Sequence, residues 1–271
     1  MESHPLYDEN MMNTIECKSI KVNGLDVRYY TAGQGEPLVV IHGGAGDAKT
    51  WWNNISELAL NYTVYAPDLP GFGGSQALSG NYYIHELSEF VDKFAAVLGL
   101  EKFNLMGHSL GGGIALDFTL KSPGKVKKLV LISSLCLGRE IAFWIRIFSV
   151  PEFVRFLTAT IMGVLEGVKW VVRRLKLVEL VTPSLRAVLN VGEHISNFRQ
   201  QSLVLESRLG EVTVPTLVVW GGRDPVVPVR QAYAAAKIIP DCQVKVFKNR
   251  GHNVHRDELM QFSRILKRFL G

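Results

Sequence analysis

The chain has 271 residues, of which 47% are hydrophobic and 20% are charged, and its formal net charge is +5. This composition is that of an ordinary globular protein, and the length suits one large α/β domain or two small ones. The small excess of positive charge forms no dense Lys/Arg stripe with interleaved aromatics, so nucleic-acid binding is not predicted. Three widely spaced cysteines indicate neither a disulfide framework nor a zinc site, which makes a reducing cytoplasm the default location.

Residues 1–13 are predicted to form a loose tail, because they are polar and lack the apolar core of a signal peptide. No apolar run approaches the roughly 18 residues that a membrane span needs. The first predicted element is a β-hairpin, since Asn23-Gly24 separates two alternating runs, Ser19–Val22 and Leu25–Tyr30. Pro37–Ile41 follows as the first fully buried strand.

Beyond Ile41, short apolar strands alternate with stretches of helical periodicity. The further predicted strands are 63–66, 103–106, 126–133, 215–220 and 243–247, and the predicted helices are 49–60, 83–98, 114–120, 230–239 and 259–270. This alternation predicts a mostly parallel sheet with helices on both faces.

The alternation stops between Gly138 and Gly210. There the sequence predicts consecutive helical runs at 140–148, 151–165, 168–181, 183–191 and 193–209. We therefore expect residues 138–210 to be a helical insertion, and residues 1–137 and 211–271 to form the core domain around the sheet.

The pattern Gly107-x-Ser109-x-Gly111 lies between the predicted strand 103–106 and the predicted helix 114–120. Strand, tight turn and helix form the context of a nucleophile elbow, in which a strained serine needs neighbours almost free of side chain. The pentapeptide alone is weak evidence, because it arises by chance in roughly one chain in ten of this length. A glycine-rich turn with a surface serine is the alternative interpretation.

Three further segments directly follow predicted strands. His42-Gly43-Gly44 follows the first buried strand, Asp224 follows the strand that ends at Trp220, and His252 follows the last strand. In an open parallel sheet these positions share the carboxyl edge with Ser109, where ligands bind. A glycine-rich loop there exposes backbone N–H groups that can hold an oxyanion. The chain order Ser, Asp, His is the order expected of an α/β hydrolase.

The chain thus resembles the α/β-hydrolase superfamily, in its capped branch, over residues ~15–271. Five segments carry the resemblance: His42–Gly44, Asp68–Ser75, Gly107–Gly112, Gly222–Pro228 and Gly251–His252. The resemblance implies the α/β-hydrolase fold, a mostly parallel eight-stranded sheet with helices on both faces, and it implies that residues 138–210 form the family's helical cap.

The resemblance also implies residue roles. Ser109 is the expected nucleophile, His252 the general base and then acid, and Asp224 the residue that orients His252. The expected oxyanion donors are the backbone N–H groups of Leu110 and Gly44. Acyl-enzyme chemistry of this kind needs no cofactor, and no metal site is expected.

Two points remain open for the histidines. His255 is an alternative base, although the family's histidine follows the strand's loop after a glycine. A metal pair of His252 and His255 lacks further ligands at suitable spacing. Both His42 and His108 are interpreted as residues that support the catalytic groups or pack around them rather than as catalysts, and His108 is also a candidate for substrate binding.

Substrate contacts are expected from the cap and from the glycine-rich loop. The candidates are Gly43, His108, Phe153 and Trp170. Apolar cap residues predict an acyl pocket, and the cap's basic residues predict a cationic mouth. The alternative is that the aromatics form the cap's own core and that its charges form a solvated face.

We therefore expect a cofactor-free carboxylesterase acting on small or medium acyl esters. A carbon–carbon hydrolase similar to the meta-cleavage-product enzymes is the first alternative. Against it, Asn253 occupies the position after the expected catalytic histidine where those enzymes often have Trp. In its favour, Arg186 or Arg199 could bind a substrate carboxylate. A non-catalytic ligand receptor on the same fold is the second. Epoxide hydrolases and haloalkane dehalogenases are disfavoured, because they would have an aspartate at position 109, where this chain has a serine. The expected partner is a small acyl substrate, with a homodimer left open.

Overall fold

A computed structural model describes residues 15–148, 194 and 200–271. Its strands form one eight-stranded sheet in the order β1-β2-β4-β3-β5-β6-β7-β8. The strands are β1 (Glu16–Val22), β2 (Leu25–Ala32), β3 (Glu36–Ile41), β4 (Tyr62–Pro67), β5 (Phe103–His108), β6 (Val126–Ile132), β7 (Thr216–Gly221) and β8 (Cys242–Phe247). The pairs β1–β2 and β2–β4 are antiparallel and the other five are parallel. The predicted α/β fold with a mostly parallel eight-stranded sheet is confirmed.

Helices cover both faces of this sheet. They are α1 (Trp52–Leu58), α2 (Ile84–Val97), α3 (Leu110–Lys121), α4 (Phe143–Phe148), α5 (Arg230–Ile238), α6 (Val254–Asp257) and α7 (Leu259–Leu270). One buried cluster joins one face of the sheet to α2, α3 and α5, and a second joins the opposite face to α1 and α7. Every residue of β5 and β7 is buried, as expected for central parallel strands that are covered on both sides.

Local sequence accounts for several of these elements. Asn23 and Gly24 both have positive φ, 49° and 84°, which is what the two central residues of a tight hairpin turn require. Helix α7 buries Phe262, Leu266 and Phe269, whose spacing puts them on one face. The predicted hairpin and closing helix are therefore confirmed.

Two predicted helices differ from the structure. The stretch predicted as helix 49–60 is a 3₁₀ turn, Ala48–Trp51, followed by α1. The turn begins after Asp47, because the Asp47 side chain accepts from the Lys49 N–H at 2.9 Å and so caps it. The predicted helical run 193–209 is wrong over residues 201–205. There Gln201 N–H donates to Arg139 O and Leu205 N–H donates to Cys136 O, so this segment lies alongside residues 136–139.

Other sequence predictions fall outside the described residues. These are the tail 1–13 and the helical runs 151–165, 168–181 and 183–191. Of the predicted run 140–148, the structure has α4. Within the described ranges, no helix has both the length and the apolarity needed to cross a bilayer.

Candidate active site

Ser109 lies at the sharp turn between β5 and α3. Its φ of 54° and ψ of −114° put a non-glycine residue in a strained region of backbone conformation. The Ser109 N–H donates to Ile132 O at 2.9 Å, and the Ser109 carbonyl accepts from Leu135 N–H at 3.0 Å, so the turn is fixed to the end of β6 and the loop after it. The structure thus holds the predicted nucleophile in the elbow geometry that the sequence indicated.

The two glycines of the elbow are required by close backbone contacts. A Cβ added at Gly107 would lie 2.1 Å from Gly111 O, and one added at Gly111 would lie 2.4 Å from Ile41 O. Both distances are far shorter than any tolerable carbon–oxygen contact. The spacing G-x-S-x-G is therefore a steric consequence of packing β5, α3 and the end of β3 against one another.

Asp224 and His252 meet at the carboxyl edge of the sheet, beyond β7 and β8. The Nδ1 of His252 lies 2.8 Å from Oδ2 of Asp224, whose side chain is fully buried. The other oxygen, Oδ1, accepts from the N–H groups of Val226 and Val227 at 2.8 and 3.0 Å. An ionised carboxylate only accepts, so Nδ1 carries a proton, and the neutral form of His252 has its lone pair on Nε2.

The environment of Asp224 favours its charged form. Burial alone would raise its pKa, but the hydrogen bond and charge of His252, with the two backbone N–H groups, outweigh burial and hold the pKa below its usual value. A charged Asp224 next to His252 would stabilise an imidazolium as it forms. The pair can therefore support a general base at His252.

The glycine-rich loop after β3 is anchored by His42. This fully buried ring accepts from Leu69 N–H at its Nε2 (2.9 Å), and its Nδ1 lies 2.8 Å from Gly43 O. Leu110 is the first residue of α3, where backbone N–H groups have no acceptor within the helix. The loop that carries Gly44 and the start of α3 can thus supply the two predicted oxyanion donors, and His42 has the packing role expected from the sequence.

An ion pair between the partly exposed Arg28 and a buried carboxylate, which the sequence analysis did not assign, fixes the neighbouring loop. Arg28 Nε donates to Asp68 Oδ2 at 2.6 Å, and Asp68 also accepts from the N–H groups of Gly74 and Ala48, each at 2.8 Å. Asp68 is fully buried. This pair connects β2 to the 68–75 turn and to the residues that follow the glycine-rich loop. A charged residue followed by a glycine-rich turn was the only sequence signal for it.

The rival base His255 lies apart from Asp224's hydrogen bonds. It is 1% exposed, and within the described chain neither of its ring nitrogens has a hydrogen-bond partner. Burial holds its pKa well below the usual value for histidine. Its ring packs between Trp51 and His108, with centroid distances of 4.5 and 4.4 Å. This geometry favours His252 over His255 as the base.

The predicted substrate contacts are only partly described. Phe153 and Trp170 lie outside the described residues, as do Arg186 and Arg199. Gly43 packs against Ser109, since a Cβ added there would lie 3.4 Å from Ser109 Cβ.

A cavity of about 690 Å³ opens beside the glycine-rich loop, and its lining includes Ala45, Gly46, Lys49, Phe72 and Arg256. Within the described ranges, no group of three or more His, Cys, Asp or Glu side chains could hold a metal ion.

Comparison with known proteins places this fold in one family. A family model described as "alpha/beta hydrolase fold" matches residues 36–158 and 176–259. The chain therefore belongs to the α/β-hydrolase fold family, as the resemblance in the sequence implied, and its general activity is that of a hydrolase.

The individual relatives carry names that describe different activities. The chain is 32% identical over 259 residues to the dihydrolipoyllysine-residue acetyltransferase component of an acetoin cleaving system from Cupriavidus necator, covering 92% of this chain and 68% of that protein. It is 29% identical over 283 residues to a 2-hydroxy-6-oxononadienedioate/2-hydroxy-6-oxononatrienedioate hydrolase from Comamonas testosteroni, covering 96% and 98%.

The same fold occurs in a thermophilic esterase from Thermogutta terrifontis, with a TM-score of 0.72, 22% identity and coverage of 94% and 98%.

Proposed function

We propose that this chain is a serine hydrolase that cleaves carboxylic esters of small to medium acyl chains. The observation that carries the proposal is the convergence of a strained Ser109, the Asp224–His252 hydrogen bond and an anchored glycine-rich loop on one edge of the sheet. Each group has a separate role in acyl transfer, and Ser109, Asp224, His252 and the loop lie on four separate segments of the chain.

In the proposed reaction, the Ser109 hydroxyl attacks the ester carbonyl while Nε2 of His252 takes its proton. The oxyanion of the tetrahedral intermediate accepts from the N–H groups of Leu110 and Gly44. The intermediate collapses to an acyl-serine, and the alcohol leaves with the proton from His252. Water then attacks the acyl group while His252 takes its proton, and His252 returns that proton to the Ser109 oxygen as the carboxylic acid is released. Asp224 stays ionised throughout and stabilises the imidazolium.

The proposal places substrate choice in the cap. Residues 138–210 would cover the edge that carries Ser109, with Phe153 and Trp170 against the acyl chain. The acyl-enzyme reaction would need no cofactor. We propose the cytoplasm as its location, because the three cysteines are free.

Carbon–carbon bond hydrolysis is the second candidate. It is favoured by the Comamonas testosteroni relative, which is named as a hydrolase of 2-hydroxy-6-oxo-dienedioates and matches nearly the full length of this chain. Against it stands Asn253, since these enzymes often place Trp after the catalytic histidine. Asn253 instead precedes α6, where its carbonyl accepts from the N–H groups of Arg256 and Asp257.

A substrate panel tests both candidates. We would measure kcat/KM for p-nitrophenyl esters from acetate to decanoate and, in parallel, for a 2-hydroxy-6-oxo-dienoate. Ester turnover that Ser109→Ala abolishes supports the proposal. Dienoate turnover exceeding every ester by several orders of magnitude would replace it with carbon–carbon hydrolysis. Absence of turnover on both, in folded protein, would favour a ligand receptor.

A further inference from the structure

His108, the last residue of β5, connects the nucleophile strand to the loop of the predicted base. Its Nε2 lies 3.0 Å from the backbone oxygen of His252. A carbonyl oxygen only accepts, so this nitrogen carries the proton and donates. His108 is adjacent in sequence to Ser109, whereas Asp224 reaches His252 from the loop after β7. The His108 hydrogen bond therefore joins the backbones that carry the two predicted reacting side chains.

The His108 ring is held firmly in one orientation. It is 7% exposed, and its centroid lies 4.8 Å from the His252 ring and 4.4 Å from the His255 ring. On its other edge, a Cβ added at Gly43 would lie 2.9 Å from Nδ1. His108 thus packs against the glycine-rich loop, the loop that carries His252 and the buried His255.

The same surroundings keep this ring neutral. Burial, reinforced by the nearby His252, lowers the pKa of His108 to about 3. Of the other groups around it, Arg256 acts in the same direction, and Asp224 and the hydrogen bond to His252 O oppose it. A neutral ring with its single proton on Nε2 donates to the carbonyl without adding a positive charge next to the imidazolium that would form at His252.

We propose that His108 is a positioning residue, whose Nε2–H hydrogen bond to the His252 carbonyl fixes the His252 imidazole relative to Ser109. This inference rests on the proposed serine-hydrolase function and deepens it. It assigns to His108 a different role from the substrate contact expected from the sequence. His108 acts through His252 and does not itself contact the reacting atoms.

The consequence is a specific pattern in the kinetics. Loss of the hydrogen bond should lower kcat by about 10²-fold, because small misplacements of a catalytic group have effects of that size. The KM for a small ester should change little, since His108 would not hold substrate.

Three variants separate the hydrogen bond from ring packing. His108→Leu removes the donor and keeps apolar volume, whereas His108→Gln restores an N–H at the position of Nε2. His255→Leu is the matched control, because it changes the same stack of rings but removes no hydrogen bond to His252. If His108→Leu does not fold, His108→Asn replaces it, since its shorter amide does not reach the carbonyl.

We would measure kcat and KM on p-nitrophenyl acetate, and the NMR signal of the proton between His252 and Asp224, identified by its loss in Asp224→Asn. In His108→Leu the signal should broaden or vanish and kcat should fall. His108→Gln and His255→Leu should retain both. An unchanged signal and kcat in His108→Leu, or a Gln variant as impaired as Leu, would overturn the inference. Absence of ester turnover in the unmodified protein would overturn the proposed function instead, and the NMR comparison would still decide the role of His108.

Discussion

Three buried histidines should make this protein unstable in mild acid. His42, His108 and His255 are 0%, 7% and 1% exposed, and burial is the largest cause that lowers the pKa of each. Each ring is therefore held towards its neutral form in the folded protein, while the same residues in the unfolded chain titrate near 6.5. The unfolded chain binds more protons than the folded one below that pH, so the free energy of unfolding falls as the pH falls.

The size of the effect follows from the proton difference. Between pH 7 and pH 5 an unfolded histidine takes up nearly one proton. His108, whose pKa in the folded protein is about 3, does not take up this proton, which costs about 2 kcal/mol of stability. His42 and His255 add to this loss in the same direction, because burial lowers the pKa of each as well. The loss occurs between the unfolded value and the folded one, about 3 for His108, and stability is fully present above pH 7.

Urea unfolding at pH 7, 6 and 5 tests this expectation. His255→Leu removes one of the three groups without breaking a side-chain hydrogen bond in the described chain, so its loss of stability from pH 7 to pH 5 should be smaller than the parent's, by up to about 2 kcal/mol. His85→Gln, at an exposed histidine, is the matched control and should follow the parent. Contributions from carboxylates cancel in this comparison. A His255→Leu variant that loses as much stability as the parent would refute the reasoning.

Four further expectations concern catalysis. Ser109→Ala should lower kcat by about 10⁶-fold, and ester turnover near the parent's would remove Ser109 as nucleophile. In the same assay His252→Ala should lower kcat as much as Ser109→Ala does, and Asp224→Asn should lower kcat by about 10⁴-fold. His255→Ala should have only a small effect on kcat. If His255→Ala were instead the more damaging of the two histidine variants, His255 would be the base. Gly43→Ala should lower kcat, because its Cβ would lie 2.9 Å from His108 Nδ1. Gly124→Ala should leave kcat unchanged, since no described atom lies within 4 Å of a Cβ at that position. Equal activities of the two variants would contradict this expectation. Phe153→Ala and Trp170→Ala should shift the preferred acyl length by about 10–200-fold in kcat/KM while p-nitrophenyl acetate is still turned over, and an unchanged acyl-length profile would place the pocket elsewhere.

Features that depend on short stretches of chain could be predicted from the sequence. The hairpin turn at Asn23-Gly24 and the elbow at Ser109 are specified by residues next to one another. The shared edge of Ser109, Asp224 and His252 followed from one rule about parallel sheets.

Long-range packing could not be predicted in the same way. The Arg28–Asp68 ion pair joins residues 40 positions apart, and the His108–His252 hydrogen bond joins residues 144 apart. Nor does periodicity show that His255 is buried between Trp51 and His108. The segment 201–205 was predicted helical from its local pattern, yet its backbone hydrogen bonds go to residues 136 and 139. Such partners are chosen by the tertiary fold, which local pattern does not contain.

Covalent trapping of the nucleophile tests the central claim most directly. The protein would be incubated with a fluorophosphonate, its intact mass measured, and the labelled peptide sequenced by tandem mass spectrometry. A serine activated by His252 and held near an oxyanion hole should take up one phosphonyl group at Ser109, while Ser109→Ala should take up none and His252→Ala should react far more slowly. Labelling at another residue, or no labelling of the folded protein, would contradict the account.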